Sequence, residues 1–249
     1  MYEIPKKQTS TMPLGRSWAM LALLTFTLPA WADIKASVTV VSDYAYRGYS
    51  KSRANPVAQG SLDYAHSSGF FGGLTLSQVS FDDKRYGQRS DVELIPYLGW
   101  ARGLATHWQA DFSASRYVYA GKLFGRDADY NEFAASLHYR DLATARVAYA
   151  YDTYDRKATT FAYEALGRYS VFDSLVFSGG LGYNQAAQLL EYNNFFWNAG
   201  LTWYAGHHVS IDVRYVDSSV KNRRDTPVYG DFSLSALDRN YVFSLSVGF

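Results

Sequence analysis

The chain has 249 residues, 48% hydrophobic, 17% aromatic and 19% charged, with a formal net charge of +1. The apolar share excludes disorder, the charged share sits below the roughly 25% usual for soluble domains, and 22 tyrosines, 15 phenylalanines and 6 tryptophans favour strands and membrane interfaces over a cytosolic helical protein. Zero cysteines exclude disulfides, thiolate metal sites and cysteine nucleophiles.

The first element in chain order reads as a targeting signal. Lys6, Lys7 and Arg16 precede an apolar run over 18–28, followed by Pro29 and by the small residues Ala30 and Ala32. Such a run matches the roughly 7 to 15 residues of a secretory signal and falls short of the roughly 20 that a membrane helix needs. Cleavage after Ala32 is expected, which divides the chain into a signal peptide (1–32) and a mature domain (33–249). Loss of Lys6, Lys7, Arg16 and Glu3 takes the net charge from +1 to about −1, so nucleic acid is not an expected partner.

From there to the end, apolar and polar residues alternate with period two. Twelve segments of this kind cover 35–49, 57–66, 70–81, 91–101, 107–119, 130–140, 144–155, 158–169, 174–184, 194–204, 208–217 and 238–249. Segments near ten residues suit strands that cross an apolar band about 25 Å tall at a tilt. Short links over 67–69, 141–143 and 205–207 alternate with longer ones over 82–90, 120–129 and 218–230, as periplasmic turns alternate with outer loops. The predicted fold is all-β: a closed antiparallel transmembrane β-barrel of about 12 strands after a cleaved signal peptide. A soluble sandwich or barrel would also alternate, but aromatics crowd the segment ends at Tyr44, Tyr46, Tyr117, Tyr119, Tyr151 and Tyr154, and charges avoid the face with large apolar residues. Pro96 departs from the pattern, since proline withdraws a ladder donor.

The first third of this pattern also carries a resemblance. Val41-Ser42-Asp43-Tyr44 with Arg47-Gly48, then Pro56-Val57-Ala58-Gln59-Gly60 with Leu62-Asp63-Tyr64, then Ser68-Gly69-Phe70-Phe71-Gly72-Gly73, resembles the signature of the TorF-type porin family of proteobacteria. The resemblance covers about 37–100. It implies an outer-membrane barrel with a transport role, and it brings no substrate and no catalytic residue.

With large apolar residues toward lipid, the opposite face lines a lumen. The lumen candidates are Asp43, Arg47, Asp63, Glu93, Asp111, Glu132, His138, Arg146, Asp152, Glu164, Arg168, Asp212 and Arg214. Eight carboxylates against four arginines in this set suggest a mild cation preference. The expected function is passive, narrow-channel diffusion of small hydrophilic solutes or ions across the outer membrane of a Gram-negative bacterium, without cofactor, metal or catalytic residues. Two other readings stay open: a surface interaction or adhesion barrel, in which Arg223 and Arg224 meet lipopolysaccharide, and an outer-membrane hydrolase built on His138. The last segment, with Tyr241, Phe243, Leu245, Val247 and Phe249 on one face, looks like a signal to the barrel-assembly machinery, and outer-membrane lipids are the remaining expected partners.

Overall fold

The computed structural model describes residues 32–81, 90–220 and 234–249. The segment read as a signal peptide, up to residue 31, and the loop clusters Asp82, Asp83, Lys84, Arg85, Tyr86 and Lys221, Arg223, Arg224, Asp225 lie outside the described residues.

Twelve long strands form the wall: β1 (Ala32–Val41), β2 (Val57–His66), β3 (Phe70–Gln78), β4 (Val92–Ala105), β5 (Trp108–Tyr119), β6 (Tyr130–Tyr139), β7 (Ala143–Tyr151), β8 (Thr160–Phe172), β9 (Leu175–Gln185), β10 (Asn194–Ala205), β11 (Val209–Ser218) and β12 (Asn240–Gly248). Each pairs antiparallel with its sequence neighbours, and β1 pairs with β12 to close the barrel. The seam ends with Phe249, whose N–H donates to the Ala36 carbonyl at 2.8 Å while Ala36 N–H donates back to Phe249 at 3.2 Å. Closure leaves no strand edge to satisfy, as a wall in lipid requires.

Alternation assigns the faces. Phe112 and Leu181 are 64% and 63% exposed on the outer surface, in a belt with Val38, Leu74, Leu98, Phe133, Val147, Leu201, Val213 and Phe243. Leaving one such side chain in water instead of burying it forgoes about 1.5–3 kcal/mol, so a continuous belt of them is stable only against lipid. Trp108, Tyr169 and Trp203 mark one rim, Tyr151, Phe195 and Tyr241 the other, as amphipathic rings do at membrane interfaces.

Pro96 is tolerated because only one ladder opens. β4 pairs with β3 continuously through Leu74↔Pro96, whereas its register with β5 passes from Leu94↔Val118 to Tyr97↔Ser115 with nothing paired between. Three inward aromatic rings lie over glycines on adjacent strands: Phe71 over Gly99, Tyr97 over Gly73 and Phe196 over Gly182. These glycines make room for the rings on the inner wall.

Two departures from the sequence pattern matter for function. The first strand stops at Val41, and the chain over 42–56 turns inward instead of continuing to Tyr49. Asp152 sits beyond the end of β7, in a left-handed conformation (φ 51) before a short turn at Thr153–Asp155, and its carboxylate caps the Lys157 N–H at 2.6 Å. It is therefore a loop residue and does not line the barrel wall. The long-loop end also holds a packed core, in which Phe81, Tyr119, Leu123, Tyr130, Tyr154 and Leu190 are buried together. Tyr119 and Tyr154 suit this place because each buries a large ring while its hydroxyl meets Glu93 or Tyr49.

Candidate functional site

The inward segment builds a small hairpin within the barrel. Two-residue strands Ala45–Tyr46 and Tyr49–Ser50 pair with each other, and Ser235–Ala236 adds a third strand from the segment that precedes β12. Arg47 (φ 45) and Gly48 (φ 88) form the turn, and two positive φ values suit the right-handed twist of a two-residue hairpin. Asp43 anchors the base: its buried carboxylate accepts from the Ser50 hydroxyl, Ser52 Oγ at 2.9 Å, Ala54 N–H at 3.2 Å and Asn240 Nδ2 at 3.0 Å. Asp43 therefore shapes the hairpin and does not line the lumen, because its lone pairs are taken up by the turn and by Asn240.

The tip reaches the far wall. Arg47 donates to both oxygens of Glu132 on β6, at 2.6 and 2.9 Å, and through Nε to Glu164 on β8 at 3.4 Å. Arg146 on β7 joins the same two carboxylates, at 3.0 Å to Glu132 and 2.8 Å to Glu164. Two guanidinium groups and two carboxylates thus balance in one cluster, with the bidentate Arg47–Glu132 contact as its strongest geometry. Burial alone would lower the basicity of Arg47; Glu132, followed by Tyr46 and Glu164, outweighs this and keeps the guanidinium charged.

Behind the tip, Lys51 is wholly buried against an equally buried Glu93 of β4, at 2.5 Å. Tyr119 and Tyr44 donate to the same carboxylate at 2.5 and 2.8 Å, and burial followed by the Glu93 charge raises the Tyr44 phenol above its ordinary range, so it remains a donor. The ammonium also lies 4.0 Å from the Tyr46 ring centre and 5.0 Å from that of Tyr117. An aromatic cage and one carboxylate together offset the desolvation of this lysine.

Gly48 has no room for a side chain. A Cβ there would come within 2.5 Å of Asn194 Nδ2 and 3.1 Å of Ser218 Cβ, in a backbone conformation that costs other residues roughly 1–2 kcal/mol. Gly48→Ala is expected to lift the hairpin from the wall, read as faster tryptic cleavage after Arg47 or Arg53. Unchanged cleavage would mean that the turn absorbs the methyl group.

The remaining charges lie on the inner face toward the short turns. Asp63 accepts from the Tyr97 hydroxyl and from Ser61 Oγ at 3.0 Å. Asp111 contacts His138 Nε2 at 2.5 Å, and Thr144 Oγ1 lies 2.9 Å from the other ring nitrogen. Asp212 braces Arg214 at 2.9 and 3.2 Å. Arg168 contacts Asp141 in the β6–β7 turn at 3.1 Å. A cavity of about 610 Å³ opens among His138, Thr144, Arg168 and Arg214.

Ten of the thirteen lumen candidates sit on the inner strand faces, Arg47 reaches the lumen from the hairpin, and Asp43 and Asp152 do neither. Lys51 was missed. Its signal, a lysine placed just after three closely spaced tyrosines, has meaning only once the chain is known to turn inward.

Among solved structures, a KdgM porin superposes with a TM-score of 0.53 at 9% identity, over 86% of this chain and 98% of the porin. An outer-membrane channel from Pseudomonas putida F1 superposes with a TM-score of 0.48 at 12% identity, over 89% of this chain and 96% of the channel. The first likeness supports the closed barrel fold. No curated protein matches the chain. A family model does match, over residues 30–249, and by it the chain belongs to the Gcw_chp family, described as bacterial proteins of unknown function.

Proposed function

We propose that the chain is an outer-membrane channel giving passive, narrow diffusion of small hydrophilic solutes or ions. The observation that carries this reading is the polar inner wall: Ser37, Thr39, Ser61 and Ser246 line one side and charged residues the other, while the hairpin occupies only the long-loop half. A barrel that served purely as scaffold would be stabilised by an apolar filling there. Twelve strands also lie between the eight whose lumen side chains fill and the sixteen to eighteen that leave a wide passage. The fold likeness to a porin and the sequence resemblance to TorF-type porins agree with this assignment.

Export through a cleaved signal peptide belongs to the same reading, as do contacts with outer-membrane lipids and lipopolysaccharide. The terminal Phe249, exposed on the outer face in line with Tyr241, Phe243, Leu245 and Val247, offers the aromatic edge for the barrel-assembly machinery.

Single-channel recording in planar bilayers tests the channel. Small discrete steps are expected, with a reversal potential near zero in a salt gradient. The surplus negative charge behind a cation preference shrinks once the lumen holds Asp63, Glu93, Asp111, Glu132, Glu164 and Asp212 against Arg47, Lys51, Arg146, Arg168 and Arg214, most of them paired. A folded barrel that never conducts would sink the assignment.

His138 keeps a hydrolase reading in view, because it lies between a carboxylate and a hydroxyl. Both ring nitrogens are engaged by the wall, however, which suits a brace better than a base free to meet substrate. Hydrolysis of phospholipid or peptide that disappears in His138→Ala would reverse this preference.

A further inference from the structure

The cavity at the short-turn end is separate from the hairpin cluster, and its charges are arranged in two poles. Arg168 on β8 and Arg140 in the β6–β7 turn stand on one side, Arg214 on β11 on the other, and all three line the same space. The registers Arg168↔Ser178, Ser178↔Gly200 and Gly200↔Arg214 place the two strand arginines on one line, three strand spacings apart. At roughly 4.8 Å per spacing their Cα atoms are about 14 Å apart along the wall, and the Arg214 guanidinium closes part of that distance by reaching Ser178, the register partner of Arg168.

Each pole is held by the protein in a way that leaves part of its donors for a ligand: at Arg214 four of the five N–H groups are engaged and one on Nη1 remains. Arg214 lies beside Gly200, which has no side chain, and reaches Ser178 Oγ and Asn198 Oδ1, both at 2.7 Å, while Asp212 fixes its Nε and Nη2. Arg168 donates from Nε and Nη2 to Asp141, at 2.5 and 3.1 Å, and its Nη1 has no acceptor among the described residues. Arg140 donates through Nη2 to His107 and lies 5.7 Å from the ring centre of Tyr139, on the outward face, so its guanidinium is turned to the rim. Leu166, two residues before Arg168 on the same strand, projects inward, 47% exposed, beside the bare backbone of Gly180 and lines the same cavity.

We propose that this cavity binds short dicarboxylates, one carboxylate at Arg168 and the other at Arg214, with the methylenes against Leu166. The inference rests on the channel reading only in treating such anions as solutes in transit. A cavity of about 610 Å³ is ample for a four-carbon diacid with part of its water. Guanidinium groups held in place by the wall offer planar, charge-assisted hydrogen bonds that suit carboxylates.

Calorimetric titration of the purified, detergent-folded barrel tests the proposal with succinate, neutral succinamide and inorganic phosphate as probes. Succinate should bind saturably and at least about tenfold more tightly than succinamide, and Arg168→Gln and Arg214→Gln should each weaken it by about tenfold. Phosphate, too short to meet both poles, should bind more weakly than succinate. Absent succinate binding, equal binding of succinamide, phosphate binding more tightly than succinate, or wild-type affinity in Arg168→Gln would each overturn the proposal. Arg168 lies at the exposed mouth, so its variant remains informative if Arg214→Gln fails to fold. Conductance recorded on the same preparation separates the two claims: succinate binding without conduction sinks the channel, and conduction without succinate binding sinks the site.

Discussion

Arg47→Ala is expected to raise the single-channel conductance severalfold while leaving the barrel folded. The guanidinium is the hairpin tip's attachment to the opposite wall, through two bonds to Glu132 and one to Glu164. Removing one partner of a buried ion pair costs on the order of 3–5 kcal/mol, and here the lower end applies because Arg146 still contacts both carboxylates, although it offsets only one of their two charges. That loss falls on docking of the hairpin, since the twelve-strand ladder does not depend on it. The tip is then free to leave the lumen, and the passage widens at the level of the hairpin. Arg47→Lys should fall between the wild type and the alanine variant, because it keeps the charge and loses the bidentate fork. Wild-type conductance in Arg47→Ala would show that the limiting constriction lies elsewhere.

The barrel was legible in the sequence because a lipid-facing wall enforces period two on its outer residues: Tyr241, Phe243, Leu245 and Val247 face out, and Val242, Ser244 and Ser246 face in. The same rule identified Glu132, Arg146 and Glu164 as inward residues. It could not identify the hairpin, since Asp43, Ala45, Arg47 and Tyr49 alternate with Tyr44, Tyr46 and Gly48 just as a strand would. Only Gly48 hints at a turn, and it is a single glycine. What turns the segment inward is charge located 85 and 117 residues further along the chain, in Glu132 and Glu164. Asp152 was misplaced for a related reason: Tyr149 and Tyr151 continue the alternation up to a left-handed residue that nothing in the local pattern announces.

The other large effect concerns Lys51 and Glu93, and its signature is non-additivity. Both side chains are fully buried, so Lys51→Met leaves Glu93 charged in a dry site with only the Tyr44 and Tyr119 hydroxyls for support. A stranded buried charge costs about 3–5 kcal/mol, which corresponds to a hairpin open on the order of 10² to several 10³ times more often. Glu93→Gln should be milder, because the tyrosine rings around Lys51 retain part of the cation's stabilisation. Joining the two changes removes both charges at once, and replacing a buried ion pair by groups of similar volume is often close to neutral. The double variant is therefore expected to be more stable than Lys51→Met alone, with a coupling of several kcal/mol between sites in direct contact. Tryptic cleavage after Arg47 or Arg53 under native conditions reads this directly, since slow proteolysis tracks the population of the opened hairpin. Simple addition of the two single effects would mean that the hairpin tolerates either charge alone, and that its hold on the lumen comes from Arg47.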